Sequence, residues 1–164
     1  MLESFFSYLN NALKSDPAYT NMKTSADLFG LTTLASDDMG IGQILVRALP
    51  YFDYIDPMVY PSHFASGTDG FSSPTSHPYD VIKYSMSSAV EREQALEAQN
   101  GIATSTSSKL RPWLQDFDLL GVPYGVPEVE AQMKATYDTG LTSWLFWDAG
   151  NKYTRAAYSP ESSN

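Results

Sequence analysis

The sequence contains no cysteine in 164 residues. Disulfides, thiolate metal sites and a cysteine nucleophile are therefore excluded. Histidine is almost as scarce, with only His63 and His77. Basic residues are few: 10 Lys and Arg stand against 19 Asp and Glu, for a net charge of −9. Phosphate-backbone binding needs clustered Lys and Arg, so nucleic acid is not an expected partner. The aromatic residues (3 Trp, 11 Tyr, 8 Phe) are not interleaved with a basic stripe either. No apolar run reaches the roughly 18 residues that would suggest a membrane span. No basic region followed by an apolar one marks a signal peptide. Gly40-Ile41-Gly42 lacks the strand context and the lysine of a phosphate loop. No serine sits in a Gly-x-Ser-x-Gly elbow. The length fits one domain and falls short of the roughly 250 residues of a complete (β/α)8 barrel. What is present is core material: 43% of the residues are hydrophobic, which argues against disorder despite the charge.

Hydrophobic spacing predicts an alternation of helices and strands. Leu2, Phe5, Phe6, Leu9 and Leu13 share one helical face over residues 2–14, and Asp16-Pro17 ends it. Residues 22–29 read as a strand closed by Gly30. Asp37-Asp38 is placed to cap a helix over 39–49 that Pro50 stops. A second strand covers 53–60, and a Gly/Ser/Pro-rich loop follows over 61–78. A helix then runs to about residue 98, bearing Tyr79, Ile82, Met86 and Val90. Residues 100–108 read as a flexible polar link, and 109–117 as a third strand. Pro127 opens another helix, Val129, Met133 and Tyr137 give its apolar face, and Gly140 stops it. Residues 142–148 form a fourth strand, and 149–164 form a polar, frayed tail. Such alternation implies an α/β fold with parallel strands and right-handed crossovers. Pro57 and Pro112 lie inside strand segments, where they cannot donate to a ladder and mark bulges or boundaries.

Five segments carry a resemblance: DLFGLTT (27–33), DDMGIGQ (37–43), YFDYIDPMVYPSHF (51–64), LRPWLQDF (110–117) and SWLFWDAGNKY (143–153). Together they resemble a family of glycoside hydrolase domains with a (β/α)8, or TIM-barrel, fold. YIDPMVYPSH and RPWLQDF are the most specific pieces. The resemblance implies the C-terminal half of the barrel, strands five to eight, over residues 1–153, with a polar tail over 154–164. It also implies export from the cytoplasm, although no export signal is visible at this N-terminus.

In such a barrel, chemistry belongs at the C-terminal ends of the strands. Alternation then assigns the faces. Asp27, Asp56, Met58, Tyr60, Arg111, Trp113 and Gln115 are expected to point inward, with Asp27, Tyr60 and Gln115 in one polar layer at the mouth. Glycosidic cleavage usually needs two carboxyl groups. Asp27 is the first candidate and Asp116 the second, although strict alternation turns Asp116 toward the helices; Asp118 and Asp148 are weaker partners. Asp56 and Arg111 are expected to form a structural ion pair, because a buried charge must be paired. Tyr60, His63, Trp113, Gln115 and Trp147 suit sugar binding, since rings stack on apolar sugar faces and polar groups meet hydroxyls. Ordinary core packing is preferred for Trp144 and Phe146. The two histidines leave a metal site open for His63, with loop hydrogen bonding preferred; no metal and no cofactor are called for.

The leading reading is hydrolysis of O-glycosidic bonds in a polysaccharide or oligosaccharide by a partial catalytic domain. The alternatives are a non-catalytic carbohydrate-binding module and an inactive, truncated half-barrel. The expected partners are a carbohydrate and either the missing N-terminal half-barrel or a second copy that closes the sheet as a homodimer, because an open parallel sheet leaves two edges unpaired.

Overall fold

A computed structural model of the chain describes residues 2–101 and 108–158. The chain is α/β. Helix α1 (Leu2–Ser15) leads into β1 (Ser25–Phe29), the short α2 (Leu45–Ala48), β2 (Tyr54–Met58), α3 (Pro78–Gln99), β3 (Trp113–Gln115), α4 (Val126–Asp138) and β4 (Leu145–Trp147). The four strands form one all-parallel sheet in the order β1-β2-β3-β4. With helices between successive strands, this is the layout of half a (β/α)8 barrel.

Most elements follow the expected order with shorter bounds, and the exceptions have local causes. The helix expected over 39–49 shrinks to Leu45–Ala48. Met39, Gly40 and Gly42 have φ of 48°, 73° and 78°, a left-handed backbone that no α-helix can contain. Asp37 and Asp38 spend their carboxylates on Met39 N and Gly40 N, closing turns rather than capping a helix. The loop over 61–78 holds three short 3-10 turns, Pro61–His63, Thr68–Gly70 and Pro74–Ser76. In the expected link over 100–108, residues 102–107 lie outside the described residues. The prolines leave gaps in the ladder. Ile55 N donates to Lys109 O and Val59 N to Trp113 O, and Pro57 between them has no N–H to donate.

The core lies on the helix side of the sheet. Leu28, Ile55, Val59, Leu110 and Leu114 pack against Val81, Ile82, Met86 and Ala89 of α3 and Ala135 of α4. Gly30 ends β1 where a Cβ would stand 2.3 Å from Met58 O, so no larger residue fits that approach. Two polar residues also join this layer. Glu93 on α3 accepts Lys109 N at 2.8 Å and bonds Ser108 Oγ, fixing the chain as it enters β3. Gln132 on α4 accepts Gln115 N at 2.9 Å and donates to Gln115 O at 2.8 Å. Gln132 shifts the buried face of α4 away from the expected stripe: Val129, Gln132, Ala135 and Thr136 are inside, whereas Tyr137 is exposed.

Of the segment expected to fray over 149–164, residues 149–158 pack on the fold and 159–164 lie outside the described residues. Ala157 is buried in a short turn (Arg155–Ala157), and Tyr158 stacks on Phe146 with ring centroids 5.2 Å apart. No described helix is long and apolar enough to cross a membrane.

Candidate active site

The other face of the sheet is open. Strand alternation brings Ser25, Asp27 and Phe29 of β1 to it, with Tyr54, Asp56 and Met58 of β2, Arg111 and Trp113 of the third strand segment, and Leu145 and Trp147 of β4.

Asp27 lies on this face, exposed, and Trp113 Nε1 donates to its Oδ1 at 2.7 Å. Its other oxygen accepts no hydrogen bond from a described residue. The ladder pairs Asp27 with Asp56, and Met58 with Trp113. Asp27 therefore does not share a layer with Tyr60 and Gln115, as alternation alone suggested. It sits lower on the sheet, beside Trp113. The expected mouth layer divides because register between strands is a tertiary property that within-strand alternation does not reveal.

Asp56 is 1% exposed and meets Arg111 in a bidentate pair, Nε to Oδ1 at 3.1 Å and Nη2 to Oδ2 at 3.0 Å. The Arg111 guanidinium also lies 4.5 Å from the centre of the Tyr54 ring. The hydrogen bond to Asp56 holds Arg111 above its usual pKa, with the charges of Asp56, Tyr54 and Asp27 adding. This fork lies in the same ladder layer as Asp27, on the neighbouring strands.

Trp113 and Trp147 stand edge to face, ring centroids 6.1 Å apart, and Trp147 is 44% exposed. Tyr60 packs edge to face against His63 at 5.2 Å and Phe117 at 5.5 Å. Burial holds the Tyr60 hydroxyl well above its usual pKa, with the nearby Asp27 and Tyr153 adding to the shift. A small apolar niche of about 160 Å³ opens beside it, lined by Phe29, Leu31, Met58, Tyr60, His63 and Phe64. His63 is exposed on its rim. His77 has different surroundings, stacked on Phe71 with centroids 4.0 Å apart and 3.7 Å from Asp80.

Two expected site residues have other engagements. Gln115 is fully buried: its Oε1 accepts Ser62 N at 3.1 Å and its Nε2 donates to Phe117 O at 2.8 Å. It braces the loops above β2 and β3 and presents no free group to the open face. Asp116 is 3% exposed, on the helix side, and its Oδ2 accepts Thr154 N at 2.7 Å. Asp118 accepts Tyr124 N, and Asp148 accepts Gly150 N and Lys152 N, so both weaker candidates close turns. Trp144 and Phe146 pack against the core from the helix side. Sequence reasoning missed that Thr154 N donates to Asp116 Oδ2, because only the tertiary structure brings the segment after β4 back to the end of β3.

The arrangement thus offers one exposed carboxylate on this face, a charged fork beside it in the same layer and the Trp113 and Trp147 rings nearby on a parallel sheet. A family model described as "putative glycosyl hydrolase domain" matches residues 1–153, and the chain belongs to that family. No curated protein matches the chain.

Proposed function

We propose that this chain contributes to hydrolysis of O-glycosidic bonds in a polysaccharide or oligosaccharide, as four of the eight β/α units of a (β/α)8 barrel. The observation that carries the reading is Asp27. It is an exposed carboxylate on the barrel-lining face, held at one oxygen by Trp113 Nε1 and flanked by aromatic rings. Glycoside hydrolysis uses carboxyl groups of this kind to protonate the leaving oxygen or to attack or activate water at the sugar carbon. Trp113 and Trp147 offer rings to the C–H faces of sugars, and His63 offers a polar atom at the rim, whereas Tyr60, expected as a stacking residue, is 5% exposed and packs behind His63 and Phe117. The second carboxyl group comes from the four strands that complete the barrel. Two free sheet edges and an uncovered barrel-lining face support that completion.

The direct test is release of reducing sugar from a panel of polysaccharides by the intact barrel, in which the four completing strands are present, and by its Asp27→Asn variant. Asp27→Asn should lower turnover by about 10²–10⁴-fold, the range of one acid–base group. Its folding stability should stay within about 0.5 kcal/mol of the parent, as for an exposed substitution. Unchanged turnover would remove Asp27 from the mechanism. A second reading, a carbohydrate-binding module without catalysis, is favoured by the single free carboxylate among the described residues of this face. Glycan binding with no turnover would select it.

A further inference from the structure

The niche beside Tyr60 stands on the open face, one side-chain step above Asp27. Phe29 follows Asp27 by two residues on β1, a rise of about 6.6 Å toward the C-terminal end of the strand. The ladder sets Phe29 opposite Met58 and Met58 opposite Trp113, so two walls of the niche share a row with Trp113. Trp113 in turn donates to Asp27 Oδ1 at 2.7 Å. Strand register and one hydrogen bond therefore place the niche next to the exposed carboxylate.

The niche holds about 160 Å³, and Phe29, Leu31, Met58 and Phe64 make its walls apolar. Two polar groups interrupt them. Tyr60 is 5% exposed, and its hydroxyl has no hydrogen-bond partner among the described residues. A buried phenol usually finds a partner, so an unpartnered one on a cavity wall calls for a ligand atom. His63 stands on the rim, its ring 5.2 Å from Tyr60 and 5.9 Å from Phe117. Its imidazole nitrogens also have no hydrogen-bond partner among the described residues.

A bare sugar ring suits this niche poorly. Its flat C–H faces are met by an exposed indole such as Trp147, and its hydroxyls would lose water to apolar walls. An acetamido group suits every part at once. Its methyl meets the apolar walls, its carbonyl oxygen accepts from the Tyr60 hydroxyl, and its N–H donates to a His63 ring nitrogen at the rim. The methyl of a deoxy sugar would leave the Tyr60 hydroxyl unpaired, and an acetyl ester would bring no donor to His63. Resting on the glycan reading above, we infer that the niche is a specificity pocket for the acetamido group of an N-acetylated amino sugar bound beside Asp27.

The test titrates the intact barrel by calorimetry with chitohexaose, its deacetylated counterpart and cellohexaose. Asp27→Asn is present throughout, so that sugars bind without being cleaved. The three ligands share one backbone linkage and differ only in one substituent of each ring. Chitohexaose should bind about tenfold more tightly than the other two, the scale of one buried methyl and one hydrogen bond. Tyr60→Phe keeps the ring and should remove most of that margin while leaving cellohexaose affinity unchanged. Leu31→Trp, on an exposed wall, should fill the niche with the same result. Equal affinity for the three ligands, or an undiminished margin in either variant, overturns the inference while the glycan reading stands. Turnover of the polysaccharide panel without affinity for chitohexaose overturns it alone in the same way. No binding of any ligand and no turnover on the panel overturns the glycan reading, and the acetamido pocket falls with it.

Discussion

The two faces of the sheet are built on opposite terms. The helix-facing side is closed and mainly apolar: Leu28, Ile55, Val59, Leu110 and Leu114 are buried against α3 and α4, with the hydrogen-bonded Glu93 and Gln132 among them. The open side is charged and aromatic: Asp27 and Trp147 are exposed, and the deeply placed Asp56 is held by Arg111. One side gains from removing apolar surface from water, whereas the other keeps polar groups only where each has a partner. A sheet covered by helices on one face can leave the other free for chemistry, provided that its buried charges are paired.

Substitutions should separate the two faces by size of effect. The largest loss is expected on the closed side. Leu114→Ala removes a fully buried side chain at the centre of the sheet and should cost about 2–5 kcal/mol, read from the denaturant midpoint. On the open side, Arg111→Met leaves Asp56 buried without its partner and should cost about 3 kcal/mol; adding Asp56→Leu should recover part of it. Failure of the second substitution to recover any stability would mean that the pair does more than neutralise itself.

The smallest effect is expected at the lower rim, where Asp53 joins Lys23 at 2.8 Å and Lys14 at 3.3 Å. The Lys23 hydrogen bond holds the Asp53 carboxyl well below its ordinary 3.8, with help from Thr24 N and Lys14. The group is depressed in the folded state. Its contribution is therefore complete above the unfolded value near 4 and is lost as pH falls below it. Asp53→Asn should flatten the acid side of a stability-versus-pH curve by less than about 1 kcal/mol, as for other solvent-screened pairs.

The order of elements was legible because hydrophobic spacing and the Pro and Gly stops are local. Pro17, Pro78 and Gly140 mark real boundaries. The face assignments of Asp27, Asp56 and Arg111 were legible for the same reason: strand side chains alternate. What local reading could not reach was register and polar burial. Asp27 was placed beside Tyr60 and Gln115 because nothing within β1 says which residue of β2 it faces; the ladder puts it opposite Asp56. Gln115 reads as a mouth residue, yet it is buried, its side chain bonding Ser62 N and Phe117 O and its backbone N–H and C=O bonding the Gln132 side chain across the β3–α4 contact. The helix expected over 39–49 was lost to left-handed φ values at Met39, Gly40 and Gly42, of which only the glycines gave warning.

By itself, the sequence determined an acidic, cysteine-free chain of alternating helices and strands, with Asp27 among the residues of one strand face. Its periodicities bind neighbours a few residues apart, and that suffices to choose helix, strand and face. Only the tertiary structure decided which of those residues meet. Asp56 reaches Arg111, Trp113 reaches Asp27, and Asp116 reaches Thr154, each across a separation that local pattern does not encode. Buried polar groups must find such distant partners, and the fold decides which partners they find.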